Sequence, residues 1–211
     1  MYQRVAEVHQ GDTFGGIEAA RRYAAEAEQW QFLYGGFRKK LRRLGIVGRY
    51  LEIGSGPGVM TAAIAQENPG VHITGVDLSR DMVSIAREYV QGKELDGRIR
   101  FVTGDAANAG LLRSLGRFDL IYSTLSMHHW ENPRQVVRNL VNALAEGGAI
   151  VIYDLRRVCC LYWIRADEGL FDSIRAAYLP DEVREMLREL GVGRFEVRRE
   201  FPFMLSAIIR G

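Results

Sequence analysis

Residues 50–61, YLEIGSGPGVMT, constrain the fold more tightly than any other stretch. An apolar run closes on one acid, passes three glycines at every second position, and enters a segment of helical period. A strand that runs through a tight turn straight into a helix is the opening half of a strand–helix–strand crossover. Gly54, Gly56 and Gly58 remove side chains where the backbone turns, so a ligand can reach main-chain atoms there. With Leu51 and Ile53 facing one side of the strand, Glu52 faces the other. A carboxylate at the end of a buried strand requires hydrogen-bond donors or a cationic ligand group. The spacing departs from the dinucleotide pattern G-x-G-x-x-G, because counting from Gly54 and Gly56 puts Val59 where the third glycine belongs. No G-K-[ST] follows, which removes the phosphate-cradle reading.

From Arg49 onward, short apolar runs alternate with helical segments, the pattern of a parallel sheet covered on both faces. RYLEI, VHITGVD, RIRFVTGD, FDLIYST and AIVIYDL are the strand candidates. GVMTAAIAQ reads as the first crossover helix, with Pro57 near its start and a stop at Asn68, Pro69 and Gly70. Ser79 offers an N-cap for a second helix with Met82, Val83, Ala86 and Val90 on its apolar face, ending near Gly92. A third starts at Asn132 and Pro133, places Val136, Val137, Leu140, Val141 and Leu144 on one side, and stops at Gly147 and Gly148. After a helix over residues 180–190 come FEVRREF and MLSAIIR, whose short link requires antiparallel strands. Residues 1–48 read as an appended helical segment, a candidate lid over a pocket, and residues 49–211 as one domain.

At 211 residues the chain suits a single core. Its 28 basic and 26 acidic residues leave +2, too little to argue for a nucleic-acid or membrane partner. Cys159 and Cys160 are adjacent, without metal-ligand spacing, and are expected to be buried and inert. No metal site is expected. The absence of an apolar leader and of a long uninterrupted apolar run predicts a cytoplasmic protein without a membrane span.

The second strand ends in GVDLS, which places Asp77 where a doubly wound fold puts an acid that accepts from ribose hydroxyls. A helix cap is the alternative for an acid just before Ser79. The third strand ends in TGDAA, where Asp105 suits either an adenine amino group or an ordinary turn. Taken in order, YLEIGSGPGVMT, GVDLS, GDAA, FDLIYSTLSMHHW and LAEGGAIVIYDL resemble the successive motifs of class I S-adenosylmethionine-dependent methyltransferases. The resemblance covers residues 49–155 and is strongest toward small-molecule enzymes, including the quinone-biosynthesis type. It implies an α/β fold, a doubly wound sheet of seven strands in the order 3-2-1-4-5-7-6 with strand seven antiparallel. It implies S-adenosylmethionine as cofactor and S-adenosylhomocysteine as product, with the methionine portion beside Glu52, Gly54, Ser55 and Gly56 and its amino group near the main chain at Ser123. Asp77 would hold the ribose, Leu78 and Met82 would flank the adenine, and Asp105 with Ala106 would read its edge.

His128 and His129 follow the fourth strand and are the candidate proton acceptors, since imidazole titrates near neutral pH. Backbone bonding and pocket shape are their alternative roles. Asp154 is a possible acceptor contact or a loop anchor. Tyr23, Trp30, Tyr34 and Phe37 form an aromatic row that either packs or closes over a pocket. Arg38, Lys39, Lys40, Arg42, Arg43 and Arg49 leave open an RNA or DNA methyltransferase, though no Asn/Asp-Pro-Pro-aromatic turn follows the fourth strand. A nicotinamide-dependent oxidoreductase is a further alternative, opposed by the glycine spacing.

Overall fold

The computed structural model describes residues 3–5, 16–30, 34–163 and 169–211. Its seven strands are β1 (Gly48–Ile53), β2 (Val71–Asp77), β3 (Ile99–Thr103), β4 (Phe118–Thr124), β5 (Leu144–Leu155), β6 (Phe195–Glu200) and β7 (Met204–Arg210). They form one sheet in the order β3-β2-β1-β4-β5-β7-β6. The first five are parallel, and β7 runs antiparallel to both β5 and β6, as expected from the sequence.

Consecutive buried residues such as Ile150, Val151 and Ile152 show why the sheet is covered on both faces. On one face Tyr50, Tyr122, Val151 and Tyr153 meet α2 (Gly35–Arg43), α3 (Val59–Glu67) and α4 (Arg80–Gln91). On the other, Leu51, Ile53, Ile121 and Ile152 meet α5 (Ala109–Leu115), α6 (Pro133–Ala143) and α9 (Pro180–Glu189). The Ser79 cap is present, with its hydroxyl accepting from the Met82 N–H at 3.3 Å.

Three readings need correction. The helix beginning at Pro133 ends at Ala143, and Leu144 already starts β5. The register between β4 and β5 jumps from the Phe118–Leu144 pair to the Leu120–Ala149 pair, so residues 145–148 loop out of the ladder. Gly148 permits this, since a Cβ there would lie 2.7 Å from the Asp119 carbonyl oxygen. Val141 is partly exposed because the helix turns it away from the core. Cys159 and Cys160 are both exposed, because the buried strand ends at Leu155 and they begin a separate one-turn helix, α7 (Cys159–Tyr162). The sequence reading also passed over α5 and α8 (Gly169–Ala176). The Asn108 side chain caps α5 by accepting from Gly110 and Leu111 at 2.9 and 3.1 Å.

The N-terminal segment is helical over α1 (Ile17–Trp30) and α2. Ala20 on α1 packs with Met82 and Ile85 of α4, and Arg21 pairs with Glu88 at 3.0 Å. The aromatic row divides. Phe37 is buried and stacks on Tyr153 at 5.3 Å, Tyr34 packs against the same core, and the Trp30 side chain lies outside the described residues. The basic segment is largely spent on internal partners: Arg38 and Arg42 pair with Glu67, Lys40 with Glu200, and Arg49 donates to the Leu115 carbonyl at 2.8 Å. No described helix is long and apolar enough to cross a membrane.

Candidate functional site

All three glycines of the turn after β1 have left-handed backbones, with φ of +70° at Gly54, +51° at Gly56 and +79° at Gly58. The Gly54 and Ser55 N–H groups both donate to the Val76 carbonyl, at 2.8 and 3.2 Å, which ties the turn to the end of β2. A Cβ at position 54 would collide with the Ser126 side chain, whereas one at position 56 would meet nothing within 4 Å. The open side of the turn is therefore at Gly56.

Glu52 is 1% exposed, and one of its carboxyl oxygens accepts from the Thr61 hydroxyl and from the Tyr122 hydroxyl, the latter at 3.0 Å. Burial pushes its carboxyl up to about 8, the two hydroxyl bonds pull it back, and the nearby Asp77 adds to the rise. Thr61 and Tyr122 went unnoticed in the sequence, although Tyr122 is two residues from the end of a strand paired with β1.

Asp77 accepts the Gly56 N–H at 2.7 Å on one oxygen and the Ser79 N–H at 2.9 Å on the other. Its carboxyl is raised, first by burial, and lowered by these two bonds and by His129. Tyr23 of α1 stands near enough that, after burial, the Asp77 charge raises its phenol. Leu78 is 51% exposed, while Met82 is buried under α1. Asp105 accepts from the Ala107 N–H at 2.7 Å, and Ala106 is buried. Asn139 of α6 holds the same turn, donating to the Ala106 and Ala107 carbonyls at 3.0 and 2.8 Å. An amide on the apolar face of a helix, beside Val136 and Leu140, was the signal available for it. Among the described residues, the buried Ser55 and Ser123 hydroxyls have no hydrogen-bond partner.

After β4 the chain turns through Leu125 at φ +48°, a left-handed backbone uncommon for a branched aliphatic residue. The Leu125 N–H donates to Tyr153 at 2.9 Å, and Ser126 accepts from the Trp130 indole at 3.0 Å. His128, 2% exposed, is gripped by Asp154, which accepts its backbone N–H at 2.9 Å and lies 2.6 Å from its Nδ1. The same Asp154 takes the Leu155 N–H at 2.6 Å. With Asp154 ionised, Nδ1 is the donor and the basic lone pair of a neutral ring is on Nε2. The His129 ring centroid lies 3.9 Å from that of His128. Asp154 is thus both loop anchor and imidazole partner.

Glu52, the glycine turn, Asp77, Asp105, Ser123 and the two histidines all lie at or just beyond the carboxyl ends of β1 to β4, where an open α/β sheet forms its crevice. A separate cleft of about 270 Å³, lined by Arg49, His72, Asp96, Arg98 and Arg100, contains none of them.

A family model described as a methyltransferase domain matches residues 51–150. The ubiquinone/menaquinone biosynthesis C-methyltransferase UbiE of Geobacter sulfurreducens is 27% identical over 174 residues, covering 76% of this chain and 64% of that protein. The curated relatives matched here extend well beyond the aligned region, since the chain covers between 25% and 64% of their lengths. Among solved structures, a protein from Methanococcus maripaludis described as an S-adenosyl-L-methionine-dependent methyltransferase superposes with a TM-score of 0.74 at 22% identity, covering 97% of this chain and 96% of that one. The plantazolicin methyltransferase BamL, solved with a triazolic desmethylPZN analog and SAH, superposes with a TM-score of 0.71 at 17% identity, covering 92% and 90%. These two likenesses concern the fold.

Proposed function

We propose, on the premise that this chain belongs over residues 51–150 to the class I methyltransferase-domain family, that it transfers a methyl group from S-adenosylmethionine to a small organic acceptor. The observation that carries the reading is the bond from Gly56 to Asp77. It locks the acid against the open side of the glycine turn while each carboxylate oxygen, with one backbone donor, keeps capacity for a ribose hydroxyl. The cofactor fits the residues present: Gly56 leaves space above the turn, and the Ser55 and Ser123 hydroxyls are buried without partners among the described residues. Asp105, Ala106 and the exposed Leu78 would meet the adenine, with Asn139 fixing the Asp105 turn from behind. Met82 would act through α4, since its side chain is covered by Ala20.

When bound, S-adenosylmethionine supplies a methyl on a positively charged sulfur that departs as a neutral thioether. What remains for the protein is to bind, align and exclude water. Asp77 places a carboxyl beside the ribose position, and Glu52, whose proton burial holds up to about 8, would give that proton up only to pair with a cationic ligand group. Tyr23, near Asp77, supports a lid role for residues 1–48 at the ribose end. His128, oriented by Asp154, is suited to take a proton from an oxygen acceptor. A cytoplasmic location is part of this reading.

Incubated with S-adenosylmethionine labelled in the methyl group, the chain is expected to yield a labelled product from a small-molecule cell extract and none from total cellular RNA or DNA offered separately. With that acceptor in hand, His128→Gln should lower kcat about 100-fold if a base is used, and His129→Gln less. Near wild-type turnover in both variants would end the base assignment. Labelling of nucleic acid alone would overturn the small-molecule reading.

A further inference from the structure

Residues 3–5 run along α7 and α8, and Arg4 reaches from them to the loop that carries the histidines. Tyr162 donates its hydroxyl to the Gln3 carbonyl at 2.8 Å, and the Val5 N–H donates to Arg175 at 3.2 Å. Between them, Arg4 makes three contacts with one guanidinium. Nε donates to the Ala176 carbonyl at 2.6 Å, one Nη donates to the His128 carbonyl at 2.9 Å, and the group sits 4.4 Å over the Tyr178 ring. A planar fork can satisfy two carbonyls and an aromatic face together, which a lysine ammonium cannot do in the same geometry.

His128 is consequently held at three points: its N–H and ring by Asp154, its carbonyl by Arg4. The loop enters through the left-handed Leu125, a conformation that persists only where its surroundings over-determine it. We infer that Arg4 is a positioning residue for methyl transfer, clamping the His128 main chain so that Asp154 can fix the imidazole. The inference deepens the proposed function and rests on it for the meaning of His128. It assigns the first described residues to the acceptor side of the site, whereas α1 packs through Ala20 on Met82 of α4, on the cofactor side.

The test uses the full chain, labelled with ¹⁵N, with Arg4→Gln and Arg4→Lys as variants and S-adenosylhomocysteine as the binding probe. Two readouts report the loop: the His128 Nδ1–H resonance, and amide exchange at His129 and Trp130, whose N–H groups close the turn on Ser126 and Met127 at 3.0 and 3.1 Å. In Arg4→Gln the imidazole proton should broaden or vanish and those amides should exchange about tenfold faster or more. Arg4→Lys should fall between that variant and the wild type. Affinity for S-adenosylhomocysteine should change less than about threefold, since Arg4 touches no proposed cofactor residue. An unchanged imidazole signal with unchanged exchange in Arg4→Gln would overturn the assignment. So would a loss of S-adenosylhomocysteine affinity as large as the gain in exchange, which would mean that Arg4 supports the whole site. Failure of the wild-type chain to bind S-adenosylhomocysteine would instead refute the functional reading, with the two loop readouts still deciding whether Arg4 clamps His128.

Discussion

Asp77→Ala should weaken S-adenosylhomocysteine binding by about 100-fold or more, measured by calorimetry. Hydrogen bonds to a charged acceptor are worth about 1.5–3 kcal/mol each, and a ribose offers two hydroxyls to the same carboxylate. The substitution also strips the acceptor from the Gly56 and Ser79 N–H groups, so the turn loses its tie to β2's last residue as well. Asp77→Asn retains one carbonyl oxygen and should lie between alanine and wild type. Affinity within about threefold of wild type in the alanine variant would remove Asp77 from the binding site and leave it as the helix-start acid that the sequence also allowed.

Glu52→Gln should make the protein's stability less sensitive to alkaline pH. In the unfolded chain Glu52 titrates at its ordinary value, 4.5, and in the fold burial pushes it to about 8. Between these values the folded state holds one more proton, so this contribution is full below the lower value and is lost as pH rises through the upper one. The difference corresponds to about 3–5 kcal/mol at pH 9, or roughly 10 °C in Tm for a chain of this size. Glutamine is neutral throughout and can still accept from the Thr61 and Tyr122 hydroxyls. Variant and wild type should therefore melt alike near pH 5, with the variant more stable at pH 9. Parallel Tm curves from pH 5 to 9 would show that Glu52 is ionised in the fold at neutral pH.

The inner strands were legible because they are apolar and largely buried; VHITGVD, FDLIYST and MLSAIIR coincide with β2, β4 and β7 to the residue. The sheet order followed from the family resemblance, and the β6–β7 hairpin from its short link. Where tertiary contact decides, the sequence was a poorer guide. Leu144 fits a helical face by period, yet sheet pairing with Phe118 claims it for β5. The strand end at Leu155 was legible in AIVIYDL, but Cys159 and Cys160 look like a continuation of the apolar run and instead open the helix α7, where both are exposed. In the site, single residues at strand ends could be numbered in advance, whereas their partners come from distant elements: Thr61 and Tyr122 to Glu52, Asn139 to the Asp105 turn, Arg4 to His128. A residue 124 positions away leaves no local pattern to read.

The central claim, that the turn at residues 54–58 together with Asp77 holds a methyl donor and not a dinucleotide, is tested most directly by thermal unfolding with each ligand present. S-adenosylhomocysteine or S-adenosylmethionine at about 100 times its Kd should stabilise the chain by about 2.7 kcal/mol, raising Tm by several degrees, while NAD at the same concentration should leave Tm unchanged. Stabilisation by NAD with no response to either sulfur ligand would contradict the account.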